Sequence, residues 1–385
     1  MTLQTFVLPS NDVVGQRWEV TAVRPLLRYI LNLDPLPPHL CQEPAAFAAW
    51  LIRHGLGPLA HRTCRTECPQ LAAALQTDLY AAVAQNELHL ANLDAITTQF
   101  RGNLPLVLLK GIALGESVYG GVMYRPMSDL DLWVPASYLP QAMALMVQAG
   151  FRQDGKEKRP PELQLLSDGE IRFYQPQWVQ NLVELHLAPF SGWWGKHTAA
   201  IETEAMWQRL EPLPTRPDMQ QLAAEDAVIH FAVHTAVNHQ FDLHLIRSLV
   251  DIALTAQKRG VDWQVVAERA QRWRVATAVY TVLTLLHQLI GLPELEPALH
   301  ALRPSWLHRW LFRRILAPEK AINGFALPHP LLRFPLLLLL VDRPRDIAKM
   351  VFRTLWPEKA WLEARYGGRV SHWGHLWGMF QRGDV

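Results

Sequence analysis

At 385 residues the chain exceeds the length that one hydrophobic core usually serves, and with half its residues apolar and 19% charged it has neither a disordered nor a fibrous composition. A formal charge of +2 is too small to announce a nucleic-acid partner, and three cysteines with no framework or zinc-ligand spacing read as structural thiols in a reducing, cytoplasmic setting. The opening Met1-Thr2-Leu3-Gln4 has no basic segment before an apolar run, and the apolar stretch 334–341 is too short to cross a bilayer, so neither a secretory signal nor membrane insertion is expected.

Apolar residues recur at three- and four-residue spacings through Leu71, Leu75, Leu79, Ala82 and Leu88, which predicts helix over much of 20–100. Pro35, Pro37 and Pro38 divide an earlier helix from a later one. This region has no acid, base or nucleophile constellation and reads as a packing layer. From about 104 the pattern changes. Residues 106–109 form a short buried strand, 113–119 a short helix ended by Gly120-Gly121, 130–134 a strand closed by Pro135, and 139–149 a helix closed by Gly150. Residues 163–166 and 171–174 flank Ser167-Asp168-Gly169 as a hairpin, and 182–187 is a further strand. That order predicts a small mixed sheet with helices against it, an α+β fold. Beyond Pro212-Leu213-Pro214 the chain reads helical at 223–237, 243–257 and about 262–291, and then as shorter helices between prolines. The expected regions are 1–100, 101–212 and 213–385. From Leu302 onward there are 14 Lys and Arg against 6 Asp and Glu, so the last part is basic, which suits an acidic partner or a solvated helix surface. The residues from about 367, rich in Gly, His and Trp, read as loosely ordered.

Asp129 and Asp131 are one residue apart on the 130–134 strand, so both point to one face with Leu130 and Leu132 behind them. Two such carboxylates repel unless a cation lies between them, and Mg²⁺ is held by one or two carboxylates plus substrate phosphates. The bland reading is a strand edge with two solvated acids. Glu184 and His186 alternate onto one face of 182–187 in the same way. Lys110-Gly111 closes the 106–109 strand, where glycine permits close backbone approach and lysine supplies a point charge for phosphates. Arg125 either clamps a phosphate or pairs with a nearby acid; Ser128 either donates to a phosphate or caps a turn. His230 and His234 are four apart but lack the glutamate of a zinc-protease helix, which favours a structural or acceptor-site role. Arg247 and Asp251 read as an ion pair along one helix. Six of the 15 tryptophans lie beyond residue 300, suited to packing or to stacking on a base or aromatic acceptor. No Ser-His-Asp order, Walker A loop or Gly-x-Gly-x-x-Gly fingerprint is present, which removes hydrolase, P-loop and Rossmann readings.

The run Leu108-Leu109-Lys110-Gly111-Ile112-Ala113-Leu114, then Tyr119, then Arg125-Pro126-Met127-Ser128-Asp129-Leu130-Asp131-Leu132 resembles the signature of the polymerase-β-like nucleotidyltransferases. More narrowly, it resembles the bacterial uncharacterised nucleotidyltransferase family, and it shares its Lys-Gly and Arg-x-x-Ser-Asp-x-Asp pattern with the abortive-infection nucleotidyltransferase toxins. Val183-Glu184-Leu185-His186, His230 with His234, and Trp356-Pro357 through Arg365-Tyr366-Gly367 extend the resemblance over about 100–370. Gly111-Ile112 stands where the superfamily has Gly-Ser or Gly-Gly, and the gap to Asp129 is longer than in minimal members. The resemblance implies a polymerase-β-like core between helical segments and an NTP donor. It implies Mg²⁺ (or Mn²⁺) on Asp129, Asp131 and Glu184, with Glu184 as third ligand or base, and Lys110, Gly111, Arg125, Ser128 and His186 around the nucleotide. The implied acceptor is a hydroxyl or phosphate of a small molecule, peptide or protein, as in biosynthetic tailoring. A tRNA end, another nucleotide-activated donor such as a sugar nucleotide, and a catalytically silent scaffold are the alternatives.

Overall fold

Seven strands, β1 (Leu106–Leu108), β2 (Asp129–Trp133), β3 (Arg152–Asp154), β4 (Glu170–Gln175), β5 (Trp178–His186), β6 (Glu211–Leu213) and β7 (Arg216–Gln221), form one mixed sheet in the order β3-β4-β5-β2-β1-β7-β6. The computed structural model describes residues 17–154, 160–327, 329–368 and 370–382, so the opening Met1-Thr2-Leu3-Gln4 lies outside the described residues. β2 is central. It pairs parallel with β5 and antiparallel with β1, and β1 in turn pairs parallel with β7. The expected strands at 106–109, 130–134 and 182–187 are all present in this sheet, and the α+β class holds.

Two expectations are corrected. The segment 163–166 is not a hairpin strand but part of a helix, Pro161–Asp168. Pro161 opens it, and Gly169 ends it in the left-handed conformation at φ 69° with its N–H on the Leu165 carbonyl. β4 instead pairs antiparallel with β3 on one side and with β5 on the other. The stretch around Pro212-Leu213-Pro214, beyond which only helix is expected, opens the β6–β7 hairpin. Pro212 is tolerated because β6 is the sheet edge. β7 gave no strand signal because Arg-Pro-Asp-Met-Gln-Gln lacks β-branched and aromatic residues.

Before the sheet come α1 (Val20–Ile30), α2 (Pro44–Arg53), α3 (Gly57–Cys64) and the long α4 (Pro69–Phe100). Within it lie α5 (Ile112–Ser117), α6 (Leu139–Gln148), α7 (Pro161–Asp168), α8 (Trp193–Thr198) and α9 (Thr203–Trp207). After it come α10 (Ala224–Val233), α11 (Leu245–Arg259), α12 (Trp263–Arg272), α13 (Ala276–Leu289), α14 (Glu296–Ala301), α15 (Trp306–Ile315) and α16 (Pro318–Ile322). The last are α17 (Arg333–Leu339), α18 (Pro344–Leu355), α19 (Lys359–Tyr366) and α20 (His372–Arg382), so the end expected to be loose is helical through Arg382. No helix among the described residues is long and apolar enough to cross a membrane.

One core cluster joins the first helices to the later ones, with Leu26, Leu51 and Leu75 buried together with Val228, Leu249 and Val282. A second cluster lies on the sheet, where Leu93, Ile96 and Phe100 of α4 pack with Leu108, Leu130 and Leu132. α4 therefore bridges both. Polar ties reinforce the first core. Arg28 donates to the Ile290 carbonyl at 2.6 Å, and Trp50 Nε1 and His54 Nε2 both meet the Ile322 carbonyl, at 2.8 and 3.2 Å. Cys41 and Cys68, read as thiols, are instead joined as a disulfide, their Cα atoms 5.8 Å apart. The fold brings the start of α4 against the turn at Pro38–Cys41, a proximity that a separation of 27 residues does not reveal. Cys64 alone stays free and is buried.

His54 gives this core an acid sensitivity. Burial pushes its pKa down from 6.5 to about 4, so the folded chain holds it neutral while the unfolded chain protonates it below about 6.5. The unfolded state then binds the extra proton between pH 6.5 and about 4, and stability falls as pH falls through that window. The full contribution is on the order of 3 kcal/mol. Urea midpoints at pH 7 and pH 5 test it: His54→Gln, whose amide can still reach Ile322, is expected to lose part of the pH dependence. An unchanged slope would refute the assignment.

Candidate active site

The β2–β5 pair builds the centre of the site. Alternation puts Asp129 and Asp131 on one face of β2, and the parallel register sets Asp131 against Glu184 and Trp133 against His186. Leu130 and Leu132 are buried behind them. On the other side of β5, the antiparallel β4 places Glu170 beside His186 and Arg172 beside Glu184.

Asp131 is only 2% exposed. Its Oδ1 meets Lys110 Nζ at 3.2 Å and His186 Nε2 at 3.0 Å, while its buried Oδ2 accepts no hydrogen bond. Burial works to raise its pKa, but the Lys110 ammonium and the His186 hydrogen bond win and hold it well below the usual carboxylate range. Burial also opposes the charge on Lys110, yet Asp131, Asp129 and Glu184 lift its pKa above the ordinary lysine value. The same contest raises His186, through Asp131 and Glu170. Glu184 goes the other way from Asp131: burial and the charges of Glu170, Asp131 and Asp129 push it up to about 7. Arg172 approaches it at 3.5 Å. Asp129 is half-buried and makes no hydrogen bond or close ion pair among the described residues.

These residues fit a divalent cation. Asp129, Asp131 and Glu184 converge here with Lys110 and His186 between them, and Asp131 Oδ2 is buried with no hydrogen bond among the described residues. Ligand atoms of Asp131, Glu184 and His186 all lie within 4.8 Å of one another. Two carboxylates and one imidazole are thus close enough together to hold one cation.

Beside the acids is a small cavity of about 50 Å³, lined by Lys110, Gly111, Ser128, Asp129, His239 and Arg247 among others. Gly111 sits at φ 58°, and a Cβ there would meet the Met127 sulfur at 3.0 Å, so only glycine fits the turn that aims Lys110. Arg125 lines the cavity, but its guanidinium is taken: Nε and Nη2 donate to the two Asp251 oxygens at 3.0 and 2.8 Å. Of the two sequence readings, the structure has the acid pair. Arg247, expected to pair with Asp251, donates instead to the Pro126 carbonyl at 3.2 Å and to His244 Nδ1 at 3.0 Å. Ser128 is exposed on the cavity wall.

The helix expected over 223–237 changes pitch after Val233, where His234–Asn238 form a π turn, and Gln240 and Phe241 follow at φ 48° and 62°. This turn lines up three imidazoles, with His234–His239 and His239–His244 centroids 4.6 and 4.7 Å apart. Burial and Lys110 hold the His234 pKa well below 6.5, so its Nε2 accepts from Lys110 Nζ at 3.2 Å. Burial and Arg247 take His244 down to about 4. His230 packs edge-on against Phe190 at 5.5 Å, and burial followed by Lys110 lowers it to about 3, a neutral packing residue.

Several contributors escaped the sequence reading. Asn86, on the supposed packing layer α4, donates to the Val122 and Arg125 carbonyls at 2.8 and 3.0 Å and so anchors the loop that leads to Asp129. Its sequence signal was a polar residue at a helix position that continues the buried stripe. Glu170 and Arg172 alternate on β4 as Glu184 and His186 do on β5, a period that 171–174 alone did not include. A larger cavity of about 960 Å³ runs from Lys110, Asp129 and Glu184 to the helices α17–α20. Trp361 and Trp377 line it, whereas Trp306 and Trp310 face outward.

Residues 41–291 match the profile of the family described as uncharacterised nucleotidyltransferase. No curated protein and no solved structure matches the chain. The matched stretch includes Lys110-Gly111, both aspartates, Glu184, His186 and the histidine turn, and it covers well over half of the chain. With the acid-rich β2–β5 face inside that stretch, the chain belongs to the uncharacterised nucleotidyltransferase family and is a transferase of phosphorus-containing groups.

Proposed function

We propose that the chain transfers a nucleoside monophosphate from an NTP to a hydroxyl or phosphate oxygen of a small-molecule or peptide acceptor. The observation that supports this reading is a pair of carboxylates short of hydrogen-bond partners among the described residues: the Asp129 side chain, whose charge acts on Lys110 without a close ion pair, and Asp131, whose Oδ2 is buried and bare. Asp129 and Asp131, with Glu184 as a third ligand or else as the base, would hold Mg²⁺ or Mn²⁺, which would supply neutralisation of the charge developing on the phosphates. Lys110, held straight by Asp131 and His234, offers its ammonium to the phosphates, and Arg247, His239 and Ser128 line the remainder of their cavity. His186 fixes Asp131 and faces Glu170 at 3.6 Å.

The acceptor oxygen bonds to the α-phosphorus as the bond to the bridging oxygen of the β-phosphate breaks. The electron pair leaves with pyrophosphate, and the acceptor proton passes to the Glu184 carboxylate on the wall of the larger cavity. Most of the acceleration comes from positioning and charge placement.

Thermal shift with each NTP, with and without Mg²⁺, tests the reading. One NTP is expected to stabilise the fold only with the metal, by about 2.7 kcal/mol at a hundredfold excess over Kd. Asp129→Asn should abolish the shift. If no NTP shifts the transition, the donor is of another kind, such as a sugar nucleotide, or the chain is a scaffold. A shift accompanied by salt-sensitive binding of tRNA would move the acceptor to RNA.

A further inference from the structure

We infer that the 960 Å³ cavity is the acceptor subsite and that it takes a flat aromatic molecule bearing an anionic group. The inference rests on the nucleotidyl-transfer reading for what happens at the catalytic end, but the ligand chemistry comes from the cavity itself.

The volume is near the top of the range for small-molecule sites, roughly 300–1,000 Å³, and it is continuous with Lys110, Asp129 and Glu184. A molecule seated there reaches the reacting phosphorus without leaving the pocket. Its walls come from elements far apart in the chain: Trp193 on α8, Phe334 on α17, Trp361 and Tyr366 on α19. These rings are fixed in place. Trp361 Nε1 donates to Ser167 Oγ at 2.8 Å, Trp193 Nε1 to Thr354 Oγ1 at 3.4 Å, and the Tyr366 hydroxyl meets His375 Nδ1 at 2.8 Å. With their N–H groups used in the wall, the two indoles offer a ligand the part of their ring surface that His197, edge-on to Trp193 at 4.3 Å, and Arg365, over Trp361, leave open. Trp193 and Trp361 are 5.8 Å apart between centroids and tilted by 50°, so they make a corner and not a closed stack. Rigid aromatic surfaces of this kind bind planar apolar bodies at low entropic cost.

The charge on the wall comes from two arginines. Arg333 and Arg365 both line the cavity, and neither has a carboxylate partner among the described residues. Arg365 rests over the rings of Trp361 and Tyr366, its guanidinium carbon 5.5 and 5.9 Å from their centroids. Its planar fork is thereby held at the aromatic surface with its N–H groups unpaired by any acid. A carboxylate, sulfate or phosphate on the ligand would satisfy it. Of the cavity's four acids, Asp129, Glu170 and Glu184 lie at the catalytic end and would repel that anionic group, and Asp168 follows Ser167 on the aromatic wall. The ligand is thereby oriented, with its anion on the arginines and its nucleophilic oxygen at the acids.

Two fluorescent dyes read this directly: 1-anilinonaphthalene-8-sulfonate, which is flat and anionic, and N-phenyl-1-naphthylamine, which is flat and neutral. The sulfonate is expected to bind one per chain and about tenfold tighter than the neutral dye. Trp361→Ala should weaken both dyes. Arg365→Gln, a wall change that leaves every hydrogen bond above intact, should erase only the preference for the sulfonate. Equal affinity for the two dyes in the wild type, or a preference that survives Arg365→Gln with Arg333→Gln, overturns the proposal. Displacement of the sulfonate by an NTP with Mg²⁺ also overturns it, because the donor's base would then own the cavity. If no NTP binds but the dye pattern holds, the nucleotidyl reading fails while the subsite stands.

Discussion

Asp131→Asn is expected to lower turnover about 10³-fold, the scale of losing a charge-placing group in a water-poor site and equivalent to about 4 kcal/mol of barrier. Asp129→Asn should match it in activity and differ from it in stability. Asp129 makes no hydrogen bond or close ion pair among the described residues, so its amide analogue leaves the fold as it was. Asp131 is buried and holds both Lys110 and His186, so removing its charge strands a buried ammonium. Urea unfolding and steady-state kinetics on both variants separate the two effects. The expected pattern is two inactive proteins, of which only Asp131→Asn is less stable. Turnover within tenfold of wild type in either variant would remove the two-carboxylate site from the mechanism.

The parts of the site that could be read in the sequence are those set by local periodicity. Asp129 with Asp131, and Glu184 with His186, are pairs at spacing two on strands whose alternate residues are apolar, and a strand has no freedom to place them otherwise. Lys110-Gly111 was legible as a glycine at a strand end that permits close backbone approach, and the positive φ of 58° there is what the structure adds. What could not be read depends on contacts between distant residues. Arg125 and Asp251 are 126 positions apart, and nothing near either one announces the other. Arg247 and Asp251 did have a local signal, four apart on α11, and it misled: the carboxylate was already saturated by Arg125 and Tyr119. The segment 163–166 is a run of apolar residues too short for period to decide, and the glycine after it served a helix end instead of a hairpin. The large cavity draws its wall from β2, β4, β5 and the six helices α7, α8 and α17 to α20, so no stretch of sequence contains it.

Asp251→Ala is expected to destabilise the fold by roughly 3–5 kcal/mol, the cost of leaving a buried charge without its partner. Asp251 is 3% exposed on α11 and accepts three hydrogen bonds, from Arg125 Nε, Arg125 Nη2 and the Tyr119 hydroxyl at 2.6 Å. Burial and the adjacent Asp251 carboxylate drive the Tyr119 pKa well above its ordinary value, so the phenol stays a donor across the working range of pH. Without Asp251, the Arg125 guanidinium remains buried beside Arg247, whose own charge burial and Arg125 already disfavour. The loop from Arg125 to Asp129 then loses one of its anchors and keeps Asn86 on the Arg125 carbonyl and Arg247 on the Pro126 carbonyl. Activity should therefore fall along with stability. A triple replacement separates the two roles: Arg125→Met, Asp251→Leu and Tyr119→Phe removes every partner at once and fills the space with apolar groups, which restores stability where a single truncation does not. If the network also positions the loop, the restored protein stays slow, with kcat reduced and NTP affinity close to wild type. If the triple variant recovers both stability and turnover, the network is only a way of filling the interior. If Asp251→Ala unfolds within about 1 kcal/mol of wild type, well below the usual cost of a stranded charge, the pair does not hold α11 to the catalytic loop.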